Sequence, residues 1–224
     1  HTNTGESLPA DLIIMVTGVR PTVELAVNAG IEIGKTGAIK VNDDMSTSDS
    51  DIYACGDCAE TFSRITQKAV YRPLGSTANK MGRVAGDAIT GGSLRYQGNL
   101  GTGIFKIFDL TVASTGLSER EARKEGYDVV ICHNIKPDRP LYFDGKELII
   151  KGIANRNDGR LLGVQVIGKH GVDKRIDVFA TLITYGAKVE ELFHIDLAYA
   201  PPFSTTKDPV HYTGMILDNA INQG

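Results

Sequence analysis

Five of the thirteen residues from 91 to 103 are glycine. Neither a helix nor a strand interior tolerates that density, because glycine gives up more backbone entropy on ordering than any other residue. The chain is therefore expected to break there, and the patterns on its two sides differ. From residue 10 to residue 90 short apolar runs alternate with helical stretches, which predicts a layered sheet with parallel strands. Residues 12–16, Leu-Ile-Ile-Met-Val, form the continuous apolar run of a strand covered on both faces. Pro21 opens a short helix over 22–28 that Gly30 stops. Residues 38–41 and 52–55 read as further strands, and 76–89 as a long helix ending at Gly91-Gly92. Beyond the glycines, strands are expected at 104–108, 111–114, 129–132, 148–154 and 161–167. Asn157-Asp158-Gly159 marks a hairpin turn between the last two. Ser118 and Glu121 have the spacing of a capping box for a helix that Gly126 ends. Helices over 172–185 and about 208–219 close the chain. The division is thus an incomplete α/β unit over 1–97 and an α+β unit over 98–224.

The chain carries 24 Lys and Arg against 27 Asp and Glu, a net charge of −3, with no basic cluster interleaved with aromatics. Nucleic acid is therefore not an expected partner. Its apolar runs fall far short of the roughly 18 residues that a membrane span needs, so no membrane is expected and the compartment is read as cytoplasmic. Three cysteines are too few for a disulfide scaffold and fit a reducing compartment. The start, His1-Thr2-Asn3-Thr4-Gly5, lacks an initiator Met and runs at once into the apolar 12–16 segment, which reads as a chain cut in mid-fold.

Residues 51–60, Asp-Ile-Tyr-Ala-Cys-Gly-Asp-Cys-Ala-Glu, hold a Cys-x-x-Cys. A redox dithiol of that spacing needs its first thiol at a helix N-terminus, whereas Cys55 closes an apolar run and Asp57 between the sulfurs opposes thiolate formation. Zinc needs two more ligands, and Cys132, His133, His170, His194 and His211 supply no closely spaced second pair, so no metal site is expected. Two half-buried thiols serving as small apolar residues is the better reading. Gly56-Asp57 points elsewhere: glycine lets a ligand approach the backbone, and the carboxylate can accept hydrogen bonds from ligand hydroxyls.

In context, residues 47–60 resemble the second flavin fingerprint of the FAD-dependent pyridine nucleotide-disulfide oxidoreductases, which reads T-S-x-x-x-I-Y-A-x-G-D. The resemblance implies that Asp57 binds the ribityl chain of FAD and that Gly56 permits the approach. Residues 10–21, ending Val16-Thr17-Gly18-Val19-Arg20-Pro21, resemble the strand that returns from the NAD-binding to the FAD-binding domain, and imply a flavin-side role for Gly18. Residues 72–86, from Arg72-Pro73-Leu74-Gly75-Ser76 onward, resemble the helix whose N-terminus faces the isoalloxazine, and imply flavin contacts from Pro73, Leu74, Gly75 and Ser76. A positive dipole end with free amides suits that place. Ala78, Gly82 and Gly86 make one smooth face, expected to receive a closely packed helix.

Residues 194–210, with Tyr199-Ala200-Pro201-Pro202-Phe203-Ser204 and Lys207-Asp208-Pro209, are similar to the Y-A-P-P-x-S-x-x-K-D-P segment of coenzyme A-disulfide reductases and their NADH oxidase and persulfide reductase relatives. The His/Glu acid-base pair of the glutathione and lipoamide branches is absent. The resemblance implies that a pair of tyrosines reaches the single redox cysteine of the partner subunit. Tyr199 matches one of them. Tyr142, in Arg139-Pro140-Leu141-Tyr142-Phe143-Asp144-Gly145, matches the other, with Phe143 and Asp144 where Tyr and Pro are usual. An ordinary phenol, with a pKa near 10, is a weak acid at neutral pH but can donate a hydrogen bond to a developing thiolate. His194 and His211 are expected to be surface or internally satisfied residues.

No Gly-x-Gly-x-x-Gly for either nucleotide, and no cysteine in an N-terminal FAD segment, is present in these residues. The resemblance thus implies the C-terminal half of such an enzyme: an α/β remnant of an FAD/NAD nucleotide-binding domain followed by an α+β dimerisation domain with an antiparallel sheet. It implies a homodimer using FAD and NAD(P)H on coenzyme A disulfide or persulfide, with this chain alone inactive. The alternatives are an NADH oxidase or peroxidase of the same fold, and a stand-alone dimerisation module without redox activity.

Overall fold

The computed structural model describes residues 1–223. The first unit packs around Ile31, Ile39, Met45, Ala54, Ala59, Met81, Val84, Ala85 and Tyr96. A short helix, α1 (Glu24–Asn28), precedes a two-stranded antiparallel sheet of β1 (Thr61–Phe62) and β2 (Ala69–Val70). The long helix α2 (Gly75–Ile89) turns Thr77, Met81, Val84 and Ala85, a 3.6-residue stripe, into this core.

Three of the expected strands do not form. Residues 38–41 and 52–55 contribute only isolated bridges, such as Ile39 to Ala59 and Ser46 to Tyr53. The 12–16 run has no strand partner among the described residues, and its side chains lie 77 to 86% exposed. The apolar pattern was that of a covered strand, but a strand is stabilised by neighbours on both edges and both faces, and the local pattern supplies none of them. The face of Ala78, Gly82 and Gly86 carries no packed helix among the described residues: a Cβ added at Gly56 would lie 3.6 Å from the Ala78 Cβ, while a Cβ added at Gly82 or Gly86 would meet nothing within 4 Å.

The second unit follows its pattern closely. Strands β3 (Gly103–Ile107), β4 (Leu110–Gly116), β5 (Val129–Pro137), β6 (Glu147–Asn155) and β7 (Leu161–Gly168) form one antiparallel sheet in the order β3-β4-β7-β6-β5. Helix α3 (Glu119–Lys124) starts with the Ser118–Glu121 capping box in both directions. Helix α4 (Val172–Thr184) covers β4 and β7, and α5 (Pro209–Asn222) covers β5 and β6. Their core holds Val130, Leu148, Ile150, Val164, Val166, Ile176, Phe179 and Leu217. Ion pairs join the units, Arg72 to Glu121 at 2.7 Å and Lys68 to Glu125 at 2.5 Å. No helix of the described residues is long and apolar enough to cross a membrane.

Candidate functional site

Gly56 opens a single 3-10 turn, Gly56–Cys58, with φ +80°, a conformation an L side chain rarely adopts. The turn sits against the start of α2, close enough that Gly56 meets Ala78. Leu74 precedes α2 in extended conformation and no side chain caps the helix. The first amides of α2 therefore lack a side-chain cap, and the turn packed near that helix carries the exposed Asp57. Tyr71 fixes the turn from below, its hydroxyl donating to the Asp57 carbonyl at 2.9 Å. The structure thus brings Gly56, Asp57 and the run Pro73, Leu74, Gly75, Ser76 together. Gly18 is exposed, in an N-terminal stretch without regular structure, and an added Cβ there would meet nothing within 4 Å.

Burial disfavours the thiolate form of Cys55 and Cys132. Burial, with Cys58 adding to it, raises the Cys55 pKa above its ordinary value, and Cys58 Sγ contacts the Cys55 carbonyl at 3.4 Å. Burial raises Cys132 to about 11. A thiol so shifted is not a thiolate at neutral pH.

At one end of the second unit lie the two loops that carry the tyrosines. Tyr142 is on a 3-10 turn, Leu141–Phe143, and is 75% exposed. Gly145 closes that loop because any Cβ there would lie 2.0 Å from the Arg139 carbonyl oxygen. Tyr199 is 47% exposed in the loop between the 3-10 segment Val189–His194 and α5. Arg139 Nη1 donates to Pro202 O at 3.4 Å and ties the two loops together. Both rings are exposed to solvent. His211 is held internally: Nδ1 accepts from the Asp208 amide at 3.1 Å, and Nε2 lies 2.9 Å from Ile195 O.

Beneath the tyrosine loops is a residue that the sequence patterns do not single out. Arg175, on the apolar stripe of α4 formed by Val172, Ile176, Phe179 and Ile183, is 1% exposed. Its Nε donates to Asp208 Oδ1 at 3.2 Å and its Nη2 to Asp208 Oδ2 at 2.8 Å. Nη2 also reaches Asp138 O at 2.8 Å and Ser204 Oγ at 3.3 Å, and Ser204 Oγ donates to Asp208 Oδ2 at 2.6 Å. One guanidinium thereby holds the start of the Tyr142 loop, the end of the Tyr199 loop and the N-cap of α5. The available signal was an arginine in the core-facing phase of an amphipathic helix, which demands a buried acidic partner.

The sequence pattern described as pyridine nucleotide-disulphide oxidoreductase matches residues 1–73, and that of its dimerisation domain matches 103–209. The chain belongs to this family. Among members of the pyridine nucleotide-disulphide oxidoreductases, it is 45% identical over 214 residues to a Pyrococcus furiosus NAD(P)H sulfur oxidoreductase (CoA-dependent), covering 95% of this chain and 48% of that one. It is 39% identical to a Methanocaldococcus jannaschii NADH oxidase, covering 92% and 46%. A NAD-dependent persulfide reductase from A. fulgidus superposes with a TM-score of 0.91 at 43% identity, over 96% of this chain and 40% of the other. The chain spans about half the length of the curated relatives it matches.

Proposed function

We propose that this chain forms the flavin-contacting and dimerising part of an FAD-dependent NAD(P)H oxidoreductase acting on coenzyme A disulfide or persulfide. The observation that carries the reading is the Gly56-Asp57 turn seated against the uncapped start of α2. FAD, when bound, would pass reducing equivalents from NAD(P)H to the substrate sulfur. Asp57 would accept hydrogen bonds from ribityl hydroxyls, Gly56 would keep the approach clear, and the amides of 75–77 would face negative charge on the ring. Tyr199, with Tyr142 in support, would donate a hydrogen bond to the departing thiolate in the partner subunit of a homodimer. The redox cysteine would lie outside these residues, in a reducing cytoplasm, and the boundary between the two units is placed at 97/98.

The test uses the full-length protein that contains this chain. It is expected to be yellow and to consume NADH faster with coenzyme A disulfide than with oxygen alone; a colourless protein sinks the reading. Faster consumption with oxygen favours the second reading, an NADH oxidase, which the named Methanocaldococcus relative supports. Asp57→Ala is expected to lower flavin retention about tenfold or more, from losing charge-assisted hydrogen bonds, read as the ratio of flavin to protein absorbance after gel filtration.

A further inference from the structure

The loop that carries Tyr199 is held unevenly along its length. After Tyr199 its polar contacts are many: the Phe203 and Ser204 amides donate to Ala200 O, Arg139 reaches Pro202 O, and Ser204 and Asp208 are locked to Arg175. Before Tyr199 they are few. Ile195 and Leu197 pack against the core, and the Leu197 amide donates back to Ile195 O at 3.1 Å. Among the described residues, the one hydrogen bond between 195–199 and the sheet or its covering helices comes from His211 of α5, whose Nε2 lies 2.9 Å from Ile195 O. Apolar packing is non-directional, so the direction in which this half of the loop leaves the core rests on that contact.

The same ring holds the far end of the loop. His211 Nδ1 accepts from the Asp208 amide at 3.1 Å and completes the capping box of α5 as its third helical residue. The two partners fix the proton. A backbone amide can only donate and a carbonyl can only accept, so Nδ1 is bare and Nε2 carries the hydrogen. Phe193 packs edge-on against the imidazole, with ring centroids 6.3 Å apart and planes at 69°. A capping box needs no more than the acceptor, which Glu or Gln ordinarily supplies. The donor on the opposite side of the ring has no part in capping, and it is directed at the first residue of the Tyr199 loop.

We propose that His211 is a positioning residue for Tyr199, its neutral Nε2–H imidazole clasping Ile195 and Asp208, the two ends of the loop, and so setting where the phenol sits. The assignment rests on the reading above of Tyr199 as the donor to the departing thiolate. His211 acts through the backbone and touches no reacting atom. Arg175 fixes the loop from the Ser204 side, and His211 supplies the restraint that the Ile195 side otherwise lacks.

Two substitutions in the full-length protein separate the clasp from the cap. His211→Glu keeps an acceptor for the Asp208 amide and loses the donor to Ile195 O, whereas His211→Gln keeps both on one side-chain amide. His211→Glu is expected to lower turnover with coenzyme A disulfide about tenfold, the scale of a lost hydrogen bond and a displaced catalytic group. The Michaelis constant and the unfolding midpoint should change little, and His211→Gln should restore most of the turnover. In a Tyr199→Phe background His211→Glu should cost nothing further, because the ring it positions has no hydroxyl to donate. Native turnover in His211→Glu, an equal loss in His211→Gln, or an undiminished loss in the Tyr199→Phe background overturns the proposal. Hydrogen exchange followed by mass spectrometry needs no turnover. The amides of 196–199 should exchange faster in His211→Glu than in the native protein or His211→Gln, and equal rates overturn the clasp. If Tyr199→Phe by itself keeps native turnover, the catalytic reading of Tyr199 fails and the exchange rates alone decide whether His211 holds the loop.

Discussion

Arg175→Ala is expected to destabilise the second unit by about 3–5 kcal/mol, the cost of leaving a buried carboxylate without its partner. Asp208 is 2% exposed and would remain with Ser204 and the Val210 amide as its donors. In a domain of this size the shift in melting temperature is on the order of 10 °C, measured by calorimetry beside a urea midpoint. A change below about 1 kcal/mol, the worth of an exposed ion pair, would show that the network does not carry the fold. Arg175→Met combined with Asp208→Asn is expected to cost less than Arg175→Ala, because it removes both buried charges and keeps an acceptor at the α5 N-cap. The pH dependence has a definite sign. Burial by itself raises the Asp208 pKa, but the Arg175, Ser204 and Val210 hydrogen bonds outweigh it and hold the carboxyl below its ordinary value. The stabilisation is therefore fully present above the unfolded pKa of about 3.9 and is lost as pH falls through the lower folded value. Asp208→Asn is expected to flatten that acid limb.

How much was legible varied with how local the determinants are. The second unit could be read nearly element by element: the Ser118–Glu121 box, the Asn157-Asp158-Gly159 turn and the alternation of β6 all act within a few residues. The first unit could not. Residues 12–16 have the composition of a doubly covered strand, yet what makes such a run a strand is a set of neighbours far away in sequence, and the described residues include none. Residues 38–41 and 52–55 failed to form full strands for the same reason, keeping single bridges. The motif located Gly56, Asp57 and 73–76, and the fold brings the Gly56–Cys58 turn against α2; Gly18 was read from a neighbouring motif and lies in a stretch without regular structure. The anchoring of the tyrosine loops was invisible because it joins Asp138, Arg175, Ser204 and Asp208, four positions spread over 71 residues.

Tyr199→Phe in the full-length protein is expected to lower turnover with coenzyme A disulfide about a hundredfold, the scale seen when one hydrogen-bond donor to a developing anion is removed. The Michaelis constant should change little, because the hydroxyl is asked to act on charge that develops only as the thiolate leaves. The loop explains why the loss should be chemical and not structural. Phe203 and Ser204 amides both donate to Ala200 O, at 2.9 and 3.1 Å, and Ser204 is locked to Asp208 and Arg175, so the backbone is held while the ring projects outward. Tyr142→Phe should cost less, since that ring is the more exposed of the two. Whether Tyr199 serves its own subunit or the partner is decided by mixing. A full-length chain carrying Tyr199→Phe is expected to keep about one hundredth of native activity as a homodimer, and a second one lacking the redox cysteine to keep none. In a two-fold dimer with random pairing, half the dimers are mixed, and action across the interface gives each of those one complete site, so activity should return to about one quarter of the native value. Action within one subunit leaves every site of the mixture with either the cysteine or the tyrosine missing, and activity would not return.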